Sequence, residues 1–255
     1  MRPGAGTALG TEAVARAAPN GNTLLFTAPA FVINPLLRTL SYDPLTSFEP
    51  VCYLARAPMI LAVNSASNFH TLADLIDAAR AHPGGLTLAA SAGSLFQIVF
   101  EQLKRAANVA ITFVPYPGNS PTVSALLGGH VTSILVTYSD AAAQIEAGKL
   151  RALAIASAER VEIAPQLPTF AEAGYRSIDA EGWFGVVAPA NTPTYVISQL
   201  AGWFSAALQA PRIKAKLLEQ GNLAVGTCGA PFGAFLRKQY DDYGRVIRES
   251  NMQAE

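Results

Sequence analysis

The sequence predicts an α/β protein whose strands are covered on both faces. Short β-branched or leucine-rich runs recur, each followed by a turn-forming cluster and then by a segment of helical period. Several of these runs are continuously apolar rather than alternating, the pattern of parallel strands buried on both sides. Hydrophobic residues make up 51% of the 255 and charged residues 14%, enough for a sizeable core and unlike a disordered, collagenous or disulfide-dense chain. At about 100–200 residues per domain, this length fits one large domain or two modest ones.

Taken in order, the predicted strands are Leu24–Thr27, Val51–Ala55, Ile60–Val63, Leu86–Ala90, Ile111–Val114, Ser133–Thr137, Ala152–Ala156 and Phe184–Ala188. The helices between them carry their own punctuation. Thr71 with Asp74 three residues on is a capping-box start; Leu72, Leu75, Ile76 and Ala79 form one apolar face, and His82-Pro83-Gly84 stops the segment. Thr192 before Pro193 reads as an N-cap with proline at the first helical position, continued by the stripe Val196, Leu200, Trp203 and Ala207. Pro211 opens another helix through Ile213, Leu217 and Leu218, closed by Gly221. A last amphipathic helix runs from Pro231 to Glu249 with Phe235, Leu236, Tyr240, Tyr243 and Ile247 on its apolar side. No low-complexity tract or Ser/Gly linker interrupts the series, so any second domain is joined by ordinary strands.

Charge and motifs exclude several functions. Lys+Arg and Asp+Glu both number 18, so no net field attracts nucleic acid or anionic lipid. No apolar run reaches the roughly 18 residues of a membrane span, and the opening MRPGAGTALG does not read as a secretory signal. His70, His82 and His130 are not spaced as metal ligands, and Cys52 and Cys228 form no CxxC pair. The two cysteines read as buried thiols, with one long-range disulfide as the alternative. There is no GxSxG elbow, phosphate loop or HExxH, and Gly4-Ala5-Gly6 belongs to a GxGxxxG pattern that a tight turn explains. No metal and no cofactor is expected.

Three loops of small residues follow predicted strands and precede helices. They are Ala90-Ser91-Ala92-Gly93-Ser94 before a helix to Ala107, Pro117-Gly118-Asn119-Ser120-Pro121 before Thr122–Leu127, and Thr137-Tyr138-Ser139-Asp140 before Ala141–Ala147. Each sets backbone N–H groups at the positive end of a helix dipole, which suits a carboxylate. None contains Lys or Arg, so an anion here is held by amides, hydroxyls and water rather than by a counter-charge. Singly, such loops are the ordinary connections of an α/β fold. Together they are a candidate site, because ligands of open α/β sheets gather at the carboxyl ends of strands.

The ordered segments RPGAG, EAVARAAPNGNTLLF, INPLL, YDP, FEPV, LARAP, VPYPG, ALLGGHV, IEAGKLRALAIAS, LPTFAEAGY and WFGVVAPANTP resemble the Bug/TctC-like receptors of tripartite tricarboxylate transporters along the whole chain. The resemblance implies a type II periplasmic-binding-protein fold, two α/β lobes with a ligand cleft. One lobe combines residues 1–58 with 184–255 and the other is 59–183, with hinge crossings near 56–63 and 180–187. It also implies a monomeric, periplasmic, non-catalytic receptor that closes on a small organic acid and passes it to membrane permease subunits. The ligand-facing positions implied are Thr27, Ala28 and Pro29, Ser91, Ala92, Gly93 and Ser94, Pro117 and Gly118 of the VPYPG turn, and Val136 with Thr137.

This chain departs from the family pattern in its loops. Ser91-Ala92-Gly93-Ser94 stands for a glycine-richer loop, Pro117 for the lysine of VPYKG, and Val136 for a frequent Asp. A less polar pocket follows, favouring an aromatic or long-chain monocarboxylate over citrate. The sequence also starts at RPGAG, where the family has a preceding strand, loop and helix. The expectation is an N-terminally truncated receptor, from a misplaced start codon or as a non-functional relic. Two further readings stand beside it: a receptor presenting its ligand to a membrane sensor, and a hydrolase with Ser94 or Ser139 as nucleophile, for which no motif supplies a base.

Overall fold

The computed structural model describes residues 7–178 and 180–253, and the opening RPGAG with Gly4 and Gly6 lies outside them. The chain divides into two compact units, one formed by Met1–Arg56 with Trp183–Glu255, the other by Ala57–Gly182. The chain begins with α1 (Ala8–Ala15), β1 (Leu25–Thr27), α2 (Ala30–Leu37) and β2 (Phe48–Ala57). The second unit then runs through β3 (Met59–Asn64), α3 (Leu72–Ala81), β4 (Thr87–Ser91), α4 (Leu95–Ala107), β5 (Thr112–Tyr116), α5 (Asn119–Leu127), β6 (Ser133–Thr137), α6 (Tyr138–Glu146) and β7 (Leu150–Ala156). The first unit is completed by β8 (Gly182–Pro189), α7 (Thr194–Gln209), α8 (Pro211–Glu219), β9 (Leu223–Cys228) and α9 (Ala230–Ser250).

The first unit holds a four-stranded sheet in the order β1-β8-β2-β9. Strand β9 has no counterpart among the sequence-predicted strands. It pairs antiparallel with β2 in a register that sets Cys52 opposite Cys228, and the two form a disulfide. The expectation of two free buried thiols is therefore wrong: partners in a ladder are close enough to bridge, whatever their separation in sequence. Val51, Cys52, Val186 and Ala188 pack with Leu200 and Leu208 of α7, joined by Phe204 and Leu217. Tyr53, Trp183, Phe232 and Phe235 form a second group with ring centroids 4.6 to 6.2 Å apart. Gly185 lies opposite Thr27 in the β1–β8 pair, and a Cβ there would overlap Cζ of Phe232. The ring takes the space a side chain would fill.

Two helix readings in this unit need correction. Thr192 does not cap α7; its hydroxyl donates to the Pro189 carbonyl at 2.7 Å, and the N-cap position is Pro193 itself. The buried line of α7 follows Val196, Leu200, Phe204 and Leu208 at i, i+4 spacing, which turns Trp203 outward to 62% exposure.

In the second unit the sheet order is β5-β4-β6-β3-β7. Strands β4, β5 and β6 run parallel, whereas β3 is antiparallel to both β6 and β7. The continuous apolar run Met59–Val63 is fully buried as expected, but it is not a parallel strand. Such a run reports coverage of both faces; the connections decide direction. Edge strand β5 tolerates Pro115, which has no N–H to give a neighbour. Helix α3 has the full capping box, with Thr71 Oγ1 accepting from Asp74 N–H and the Asp74 carboxylate accepting from Thr71 N–H. Its buried residues are Leu72, Leu75, Ile76 and Ala79. Helix α4 buries Leu95, Ile98, Val99, Phe100, Leu103 and Ala107, and Asn108 closes it with φ 50°.

Candidate functional site

Because β5, β4 and β6 are adjacent and parallel, their carboxyl ends fall on one edge of the second unit's sheet. That edge carries all three small-residue loops, whose order in space is set by ladder pairs such as Ser91 opposite Tyr116. Residues Ser91, Ala92, Gly93, Ser94, Pro117, Gly118 and Thr137 therefore share one unit and one edge. Thr27, Ala28 and Pro29 belong to the other unit, where β1 gives way to α2. Val136 is fully buried and paired with Ile60 inside the sheet, so its side chain lines no surface. A less polar lining then rests on Pro117 alone.

The three helix starts differ in what they leave open. At α4, Ser94 is the N-cap: its Oγ accepts from Phe96 N–H at 3.2 Å and donates to the Ser91 carbonyl at 2.5 Å. Gly93 N–H is taken by Gln97 Oε1 at 2.7 Å, so two of this loop's amides are already satisfied. At α5 the helix begins at Asn119, three residues earlier than the sequence reading. Its N-cap is Gly118, with φ 135° and no side-chain cap. Only glycine takes that φ without strain, and the uncapped turn leaves N–H groups to face an anion. At α6 the helix begins at Tyr138, again three residues early, with Thr137 as N-cap and Asp140 in the first turn. Tyr138 N–H donates to the Pro58 carbonyl at 2.8 Å, and burial, with a smaller push from Glu146, raises the phenol pKa of Tyr138.

Asn119 and Asp140 lie in two of the loops the sequence singles out, but not among the ligand-facing positions that the family resemblance implies. Asn119 Nδ2 donates to Asp140 Oδ2 at 2.6 Å, and Thr137 Oγ1 donates to the same oxygen. The signal was present as a second T-x-x-D, Thr137 to Asp140, at the spacing of Thr71 to Asp74. Neither serine offers a nucleophile with a base: Ser94 Oγ bonds to backbone and Ser139 Oγ to Thr137 Oγ1. Among the described residues no group of His, Cys, Asp and Glu could hold a metal ion.

A groove of about 840 Å³ lies elsewhere on the second unit, between α3, β7 and the segment 164–175. Of the three loops it touches only Tyr138, and its charged groups are engaged within the protein. Arg80 pairs with Asp77, Glu172 with Arg160, and Arg151 donates to the carbonyls of Ser65, Ser67 and Phe69. The loop edge, with open amides, is the better candidate.

The sequence matches the tripartite tricarboxylate transporter family receptor, TctC, over residues 1–252. The chain belongs to the TctC family. It is 33% identical to protein BugT of Bordetella pertussis, over 98% of this chain and 78% of that protein. R. palustris Rpa4515, solved with adipate, is 31% identical with a TM-score of 0.88, covering 99% of this chain and 85% of that one. MatC (Rpa3494) from Rhodopseudomonas palustris, solved with bound malate, is 27% identical with a TM-score of 0.80, covering 96% and 85%. The fold is thus the two-lobed α/β fold of TctC periplasmic binding proteins, and the family is one of solute receptors rather than enzymes.

Proposed function

We propose that this TctC-family protein is a periplasmic receptor that binds a small organic acid at the carboxyl edge of β4, β5 and β6 and delivers it to the membrane subunits of a tripartite tricarboxylate-type transporter. The observation that carries the reading is the uncapped start of α5 at Gly118, flanked by Ser91–Ser94 and Thr137 on an edge without Lys or Arg. A carboxylate meets oriented amides and the positive end of a helix dipole there, and binding without a fixed counter-charge leaves release easy. The start of α2, after Thr27, Ala28 and Pro29, repeats the strand-to-helix device on the first unit. Relatives solved with adipate and malate support an organic acid as ligand. The Cys52–Cys228 disulfide fits an oxidising compartment, and among the described residues no helix is long and apolar enough to cross a membrane.

Isothermal titration with adipate, malate, benzoate and citrate tests the binding step. At least one acid should bind the wild type, and Gly118→Val, which strains the φ of 135°, should weaken it by at least about tenfold while the fold is retained. Pro117, which offers neither cation nor N–H, predicts a monocarboxylate such as benzoate over citrate. Wild-type protein that takes none of the four, or Gly118→Val protein that binds equally well, would overturn the assignment of the site. Co-purification of permease subunits from native membranes tests delivery.

A further inference from the structure

Asn20 and Gly21 form the one Asn-Gly pair of the sequence, in the turn between α1 and β1 of the first unit. Asn20 is exposed. Its Oδ1 accepts from Asn22 N–H at 3.0 Å, closing an Asx turn whose ring contains the Gly21 amide. The bond turns the side-chain carbonyl back along the chain and draws charge from Cγ. The Gly21 N–H, by contrast, has no hydrogen-bond partner among the described residues. The fold demands glycine at this position: φ is 82°, and a Cβ there would lie 2.4 Å from Cγ1 of Val196 on α7. Glycine in turn places no side chain between its own nitrogen and Cγ of Asn20.

Asn64, in the second unit, has the same turn with the opposite chemistry. Its Oδ1 also accepts from the N–H two residues on, that of Ala66, at 3.0 Å. Here the next residue is Ser65, whose N–H is committed to the Lys149 carbonyl at 3.0 Å, and Asn64 Nδ2 donates to the Leu126 carbonyl at 3.4 Å. Both the main-chain nitrogen and the side-chain nitrogen are therefore tied down at Asn64. At Asn20 the main-chain nitrogen is free to react.

We infer that Asn20 is a deamidation site at which the turn itself supplies the nucleophile, and that conversion to isoaspartate loosens the turn from α7. In the first step Gly21 N bonds to Asn20 Cγ, the Cγ–Nδ2 bond breaks, and the proton of Gly21 N–H leaves with Nδ2 as ammonia. Solvent water then opens the cyclic imide at either carbonyl, giving aspartate or isoaspartate; no oxidant or reductant takes part. Isoaspartate carries the main chain through Cβ and Cγ, one carbon longer, and so shifts Gly21 from a place against Val196 that admits no side chain.

The test follows wild-type protein and Asn20→Ser, which keeps an acceptor for Asn22 N–H and has no amide to lose. Both are held folded in warm, mildly alkaline buffer for a week, and their peptides are then analysed by mass spectrometry with isoaspartyl methyltransferase labelling. Asn20 should convert at least about tenfold faster than Asn64, mostly to isoaspartate, and at a rate within about tenfold of that in the free peptide of residues 17–25. Aged wild type should then unfold at lower urea, by tryptophan emission, than Asn20→Ser aged beside it. A smaller ratio to Asn64, or a slower rate relative to the peptide, overturns the site. Isoaspartate at Asn20 with an unchanged urea midpoint overturns the link to α7.

Discussion

Reducing the Cys52–Cys228 disulfide should weaken the first unit and leave the second unchanged. The half-cystines are 176 residues apart, but the stretch between them contains the whole of the second unit. If that unit stays folded, the loop freed in the unfolded first unit is about 50 flexible residues, for which the chain-entropy relation gives about 4 kcal/mol at 25 °C. Measured disulfides typically contribute about 2–4 kcal/mol, so about 3 kcal/mol is the working figure. With a urea m-value of about 2 kcal/mol/M for a unit of this size, the midpoint should fall by about 1.5 M. Both tryptophans, the fully buried Trp183 and the exposed Trp203, lie in the first unit. Tryptophan emission therefore follows that unit alone, while far-ultraviolet circular dichroism follows both. Reduction of the wild type is preferable to Cys52→Ala, because Cys52 is fully buried and truncation would add a packing loss of its own. A tryptophan-detected midpoint that moves by less than about 0.3 M on reduction, or a second-unit transition that moves equally, would refute the entropic argument.

Three more outcomes follow from packing and capping. Gly185→Ala should destabilise the first unit by about 1–3 kcal/mol through overlap with Phe232, and the added Phe232→Leu substitution should recover part of that loss in a urea titration. In α3, Thr71→Ala should cost the second unit about 1 kcal/mol. Backbone hydrogen bonds from His70 and Thr71 hold the Asp74 carboxyl below its ordinary pKa, so its stabilisation is present above the ordinary carboxylate range and is lost as pH falls through the depressed value. The melting temperature of Asp74→Asn should consequently depend less on acid pH than that of the wild type.

What the sequence disclosed was whatever a short stretch can encode. The cap, face and end of α3 were all readable because Thr71, Asp74 and the apolar residues of one helix act over a few positions. The same holds for the alternation of strands and helices through the second unit. Strand β9 escaped because Leu223–Cys228 is half-buried at a sheet edge and contains Gly226, whose φ of 79° breaks the strand pattern. The disulfide escaped with it, since the partner of Cys52 is fixed by a register between strands that no local motif records. The direction of β3 was misread for a related reason: apolarity counts buried faces and is blind to which way a neighbour runs. At the candidate site the loops were found with Asp140 among their residues, but its side-chain contact was not. Its meaning depends on Asn119, 21 positions away, reaching the same oxygen.

The division of the chain has a consequence for the order in which it can fold. The second unit is one uninterrupted stretch, Ala57–Gly182, whereas the first is assembled from both flanks. Where the chain emerges amino end first, the residues beyond Gly182, which carry β8 and β9, come last. Until then β2 lacks β9, β1 lacks β8, and Cys52 has no partner. The nascent first unit is a set of unpaired strand edges waiting on the carboxyl terminus, while the second unit can already be complete. Premature pairing of those edges with another chain is the hazard this topology carries, and Cys52 joined to Cys228 marks a molecule that has passed it.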